Sequence, residues 1–151
     1  MIRPARLSDA LPCAKILQQW INETHWFPNP APESASEQAM ARRISSGVVM
    51  VAQNAGGIVG FVAYEGGFLE CLYLEKEARN QGLGRALLDL AKNNGAETVS
   101  LWVLQRNHAA RRFYAREGFC EVELGDGDDN EEGLPDIRLE WKREKRNGQS
   151  A

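Results

Sequence analysis

The stretch Arg79-Asn80-Gln81-Gly82-Leu83-Gly84-Arg85-Ala86-Leu87-Leu88 decides how this chain folds. It directly follows an apolar run, Phe68-Leu69-Glu70-Cys71-Leu72-Tyr73-Leu74, that has the composition of a strand. It also opens an amphipathic helix expected over 82–94, with Leu83, Leu87, Leu90 and Ala91 on one face and Gly95 as its stop. Glycines at a strand-to-helix turn let backbone N–H groups crowd around an anion, and the helix N-terminus adds a favourable dipole. The segment therefore reads as a phosphate cradle. A glycine pair alone would say little, since such pairs occur in ordinary turns. Arg79, three residues before the first glycine, strengthens it.

Working outward, Thr98-Val99-Ser100-Leu101-Trp102-Val103-Leu104 is the next strand. Strand, helix, strand without a hairpin turn implies a right-handed crossover and a parallel pair. Upstream, Ile2 to Leu7 suggests a first strand, and Ser8 caps a helix that carries Pro12 in its first turns and runs to about Asn22. Thr24 to Ser34 is a proline-rich loop, and Glu37 to Ile44 a short helix. Val48 to Ala52, a turn over Asn54-Ala55-Gly56-Gly57, then Ile58 to Tyr64 form a hairpin. Gly66-Gly67 turns the chain into strand 68–74, so three antiparallel strands are expected in a meander. Downstream, a helix over about 107–117 ends at Gly118, and strands Phe119–Leu124 and Ile137–Trp141 flank an acidic loop. The sum is an α/β fold: a mixed, mostly antiparallel central sheet of about seven strands with flanking helices. A single domain is expected over 1–143, followed by a flexible basic tail, 144–151.

The chain has 151 residues, 43% of them hydrophobic and 26% charged, enough for one domain with a sizeable core and unlike a disordered segment. No run approaches the roughly 18 apolar residues that span a bilayer, and residues 1–7 lack the apolar core of a signal peptide. A cytoplasmic protein with no membrane partner is expected. The net charge of −3 supplies no general field for nucleic acid. Cys13, Cys71 and Cys120 have no metal-ligand spacing, so they are expected as small buried hydrophobes, and no metal is expected. Charge is unevenly distributed: eight acidic residues and no basic one lie from Glu121 to Asp136. That segment can border a site for a cationic substrate or form a solvated hairpin loop.

A second element lies beyond strand 98–104. Asn107, Ala110, Phe113-Tyr114 and Gly118-Phe119 make the pattern N-x-x-A-x-x-F-Y-x-x-x-G-F. With Arg79-x-x-Gly82-x-Gly84, and with the order of elements along 1–141, the chain resembles the GCN5-related N-acetyltransferase superfamily. The resemblance implies acetyl-CoA as co-substrate. Its pyrophosphate would lie on the amides of Asn80, Gln81, Gly82, Leu83, Gly84 and Arg85, with Arg79 or Arg85 as counter-charge. Its pantetheine arm would pair with the backbone of Leu72, Tyr73 and Leu74, where two parallel strands part. Asn107, a helix cap in its own right, would also bond that arm.

Tyr114 is the candidate general acid, a phenol near ~10 facing a leaving thiol near ~8.5, favoured by its position in the pattern over the alternative of a helix-face aromatic that only packs. Some family members carry a basic glutamate on the fifth strand, where this chain has Trp102. Glu70 is the substitute, since alternation puts it on the strand face of Leu72 and Leu74; facing a cleft it would be buried and basic. Trp26, Phe27 and Asn29 in the proline-rich loop, with Glu131, Glu132 and Asp136, would border the acceptor, a small-molecule or peptide amine that the carboxylates suit to be cationic. Direct attack in a ternary complex is expected, in a monomer or homodimer. The alternative is a non-catalytic acyl-CoA-binding or sensing module. A dinucleotide oxidoreductase fits poorly, because R-x-x-G-x-G after the fourth strand is not G-x-G-x-x-G after the first.

Overall fold

The computed structural model describes residues 1–28 and 32–143. The tail 144–151 and Asn29 lie outside the described residues. The elements, in chain order, are β1 (Ile2–Pro4), α1 (Ala10–Glu23), α2 (Glu33–Ser46), β2 (Val48–Asn54), β3 (Gly57–Glu65), β4 (Phe68–Leu74), α3 (Leu83–Lys92), β5 (Thr98–Leu104), α4 (His108–Arg116), β6 (Cys120–Gly125) and β7 (Asp136–Lys142). The seven strands are ordered β1-β2-β3-β4-β5-β7-β6 in a mixed sheet. β4 and β5 pair in parallel, Phe68 opposite Ser100, while β1–β2, β2–β3, β5–β7 and β6–β7 are antiparallel.

The chain divides into two compact units: Met1–Glu65 with Leu69–Ala91, and Gly66–Phe68 with the chain from Lys92 onward. In the first, Cys13 and Ile16 of α1 and Met40 of α2 pack with Val49, Val51, Phe61 and Ala63 of the strands. The i, i+3 spacing of Cys13 and Ile16 and the alternation along β2 place these residues on one side of each element. In the second unit, Val99, Leu101 and Val103 of β5 and Ile137 and Leu139 of β7 are buried. Leu101 stands directly opposite Leu139, and Val103 opposite Ile137.

Several boundaries differ from expectation. β1 stops at Pro4, because Asp9 draws the following residues into a one-turn 3-10 helix at Leu7–Asp9. The Asp9 carboxylate accepts the Arg6 N–H at 2.8 Å and a bidentate pair from Arg3 at 2.8 and 3.1 Å. The Arg3 hydrogen bonds hold the buried Asp9 carboxyl below its ordinary range. α1 accordingly starts at Ala10, with Asp9 rather than Ser8 in the cap position. α2 begins at Glu33, four residues early, where the buried Ser36 hydroxyl accepts a hydrogen bond from Gln18 Nε2 at 2.9 Å.

The cysteines also divide. Cys13 is fully buried and Cys71 partly so, and burial pushes their thiols up to about 12 and about 11. Cys120, expected inside, is exposed, because β6 is the edge strand and shows little burial along its length.

Candidate active site

After β4 the chain makes a 3-10 turn at Lys76–Ala78, extends through Arg79 (φ −75°, ψ 158°) and reaches α3. Two residues of the connection are left-handed: Asn80 at φ 63° and Gly82 at φ 83°. A left-handed residue within a turn, next to one of ordinary handedness, is the backbone setting in which successive N–H groups can line an anion-binding concavity. The first intrahelical bond of α3 runs from the Ala86 N–H to the Gly82 carbonyl at 3.1 Å, so the amides of residues 83–85 precede it. A Cβ on Gly82 would meet nothing within 4 Å, so the chain leaves the space beside this glycine open. The amides, the dipole and that clearance fit a phosphate group.

Side chains around the turn are placed less simply. Gln81 points away, its Nε2 donating to the Glu77 carbonyl at 2.9 Å. Arg79 does not lie free as a counter-charge: its Nε donates to the Leu74 carbonyl at 3.1 Å and its Nη1 meets Glu23 Oε1 at 2.5 Å. The Tyr73 ring packs against Trp20 (5.5 Å between centroids) and Phe61 (5.9 Å). Sequence reasoning passed over Gly60. A Cβ there would collide with the Leu74 side chain and come within 3.2 Å of the Tyr73 carbonyl, so only glycine lets β3 approach the end of β4 this closely. Its sign was a glycine inside an otherwise apolar strand.

Glu70 is exposed rather than buried, and its Oε2 accepts Arg43 Nε at 2.8 Å. Trp26 and Phe27 belong to an aromatic cluster on Trp20, at 6.1 and 5.2 Å between centroids.

In the second unit, Asn107 caps α4, its Oδ1 accepting the Ala110 N–H at 3.1 Å. Tyr114 is buried, its ring edge-on to Phe113 at 5.1 Å and to Phe119 at 5.3 Å. The F-Y…G-F spacing thus builds an aromatic stack that fixes the tyrosine ring. The acidic loop is built rather than loose. Asn130 Nδ2 donates to the Leu134 carbonyl at 2.7 Å and to Asp136 Oδ2 at 3.1 Å. Gln105 Nε2 reaches the Asp136 carbonyl at 3.2 Å. Glu131 is exposed and Glu132 half-buried on this loop. Among the described residues no group of three or more His, Cys, Asp or Glu is placed to hold a metal. Nor is any described helix long and apolar enough to cross a membrane.

The mixed sheet of this strand order carries a glycine turn that delivers a helix N-terminus after the fourth strand. The chain belongs to the family described as acetyltransferase (GNAT) domain, which its residues 45–121 match. The peptidyl-lysine N-acetyltransferase YiaC of Escherichia coli strain K12 is 29% identical over 147 residues, covering 93% of this chain and 96% of its own. Among solved structures, apo YjaB from Escherichia coli aligns with a TM-score of 0.76 at 24% identity, over 93% of this chain and 96% of that one. The structure of yncA from Salmonella typhimurium with its cofactor acetyl-CoA aligns at 0.72 and 19% identity, over 97% and 95%.

Proposed function

We propose that this acetyltransferase moves the acetyl group of acetyl-CoA to a primary amine, that of a small cationic molecule or of a peptide lysine, by direct attack with both substrates bound. The observation that carries the reading is the turn in which Asn80 and Gly82 are left-handed immediately ahead of α3. It suits a pyrophosphate and needs no side-chain cation to do so. The pantetheine arm is assigned to the backbone of Leu72, Tyr73 and Leu74 and to Asn107. The likeness to a peptidyl-lysine N-acetyltransferase supports a lysine-like acceptor, as do the carboxylates of Glu131, Glu132 and Asp136.

The amine nitrogen forms a bond to the thioester carbonyl carbon, the C–S bond breaks, and the departing sulfur takes a proton from the Tyr114 hydroxyl. Tyr114 then recovers a proton from solvent. The acceptor nitrogen loses its proton to water, with Glu70, exposed and paired to Arg43, as the carboxylate that relays it. Holding both substrates together removes the entropic cost of a bimolecular encounter, so no acyl-enzyme is required.

The test is release of CoA thiol from acetyl-CoA across polyamines, aminoglycosides, amino acids and lysine peptides. A lysine peptide or polyamine should give turnover above the amine-free background. In Tyr114→Phe, kcat should fall roughly 100-fold with the KM for acetyl-CoA unchanged. Acetyl-CoA binding without turnover on any amine would replace the enzyme with an acyl-CoA-binding module. The same assay on Glu70→Gln reports on the relay, and a constant ratio to wild type at every pH removes it.

A further inference from the structure

We propose that Glu23 is a positioning residue for acetyl-CoA, acting through Arg79: the last turns of α1 hold the pyrophosphate turn in its binding shape. This rests on the cofactor assignment above and assigns roles to residues outside the turn itself. Gln19 and Glu23 are four residues apart and share one side of α1. Gln19 Oε1 accepts the Lys76 N–H at 3.2 Å, and Glu23 Oε1 takes Arg79 Nη1 at 2.5 Å. Between them Trp20 rests on Tyr73, 5.5 Å from ring to ring. Residues 73, 76 and 79 are thus each tied to the same two turns of one helix. Arg79 Nε, bonded to the Leu74 carbonyl at 3.1 Å, closes the path back to β4.

Two physical points make this more than a surface ion pair. Glu23 is the last residue of α1, where the helix dipole disfavours a carboxylate. A partner brought from elsewhere in the chain offsets that cost, and the partner is the arginine that opens the turn. The guanidinium is also directed toward α1 and a strand carbonyl, so its charge shapes the turn instead of meeting phosphate.

The same helix end anchors the acceptor-side segment. The Thr24 hydroxyl donates to the Trp20 carbonyl at 2.6 Å, the Phe27 N–H donates to the Thr24 carbonyl at 3.0 Å, and both Trp26 and Phe27 pack on Trp20. One helix end therefore supports both the cofactor turn and residues 24–27.

A double-mutant cycle tests it, using Glu23→Gln, Arg79→Gln and the pair, with acetyl-CoA affinity read by calorimetry and kcat and KM by thiol release. Each single variant should weaken acetyl-CoA about fivefold, the ceiling for a half-exposed ion pair. The double variant should be no weaker than Arg79→Gln alone, with kcat at saturation and the melting temperature of the free protein near wild type. Additive losses would mean that Glu23 does not act through Arg79. A silent Glu23→Gln beside a far larger loss in Arg79→Gln would make Arg79 a direct phosphate ligand. Either result overturns the proposal. A wild-type protein that binds no acetyl-CoA overturns the cofactor assignment itself, a result visible before any variant is made.

Discussion

The turn at 79–85 and the loop at 125–136 both rely on glycines with positive φ, and they use them in opposite ways. At Gly82 a Cβ would point into open space, whereas at Gly127 it would lie 2.7 Å from the Leu134 backbone carbon. Gly127 is glycine because the chain fills its own space; the acidic loop closes on itself, drawing Asp136 into its hydrogen bonds and leaving Asp128, Asp129 and Glu131 exposed. Gly82 is glycine because φ 83° suits few other residues and because the space above it is kept for something else. Openness alone does not mark a ligand site, since Gly57, Gly66, Gly95 and Gly133 are also open, at the start of a strand or in connections between elements. The second left-handed residue, Asn80, and the helix that starts at Leu83 make the difference.

Substitutions sharpen that contrast. Gly82→Val should abolish measurable acetyl-CoA binding, because a branched side chain must occupy the space over the amides as well as strain the backbone. Retained affinity by calorimetry would break the contrast at its strongest point. Gly127→Ala should leave affinity intact and cost about 3 kcal/mol, from a left-handed alanine and the contact with Leu134. Thermal melts would show this as a fall of roughly 10 °C. Gly133→Ala, in the same loop at φ 65° with nothing near its Cβ, should cost only about 1 kcal/mol and no affinity. Equal costs at Gly127 and Gly133 would mean that packing plays no part and only φ matters.

Much of the architecture was legible locally. β4 and β5 match their expected bounds to the residue, because continuous β-forming runs bounded by glycines and polar residues admit few alternatives. The cap at Asn107 was equally plain, since asparagine before a helix has a mechanism. The parallel relation of β4 and β5 followed from connectivity, a strand–helix–strand run without a hairpin turn, rather than from composition. What could not be read were contacts between residues far apart in the chain. The Glu70–Arg43 pair turned an expected buried base into an exposed partner, and Arg79, expected with Arg85 as a candidate counter-charge, pairs with Glu23. Nothing in strand or helix periodicity encodes either pairing. The early start of α2 has the same origin: Glu33 to Ser36 look like loop until Gln18 supplies a hydrogen bond from another helix.

The unequal cysteines have a practical meaning at the bench. A disulfide reagent that colours free CoA also colours any accessible thiolate on the enzyme. Cys13 and Cys71, pushed up to about 12 and about 11, stay protonated and dark at assay pH. Cys120 on the edge strand is the thiol left to react. A baseline of one equivalent per chain, removed by Cys120→Ser, then separates the protein's own sulfur from the product's.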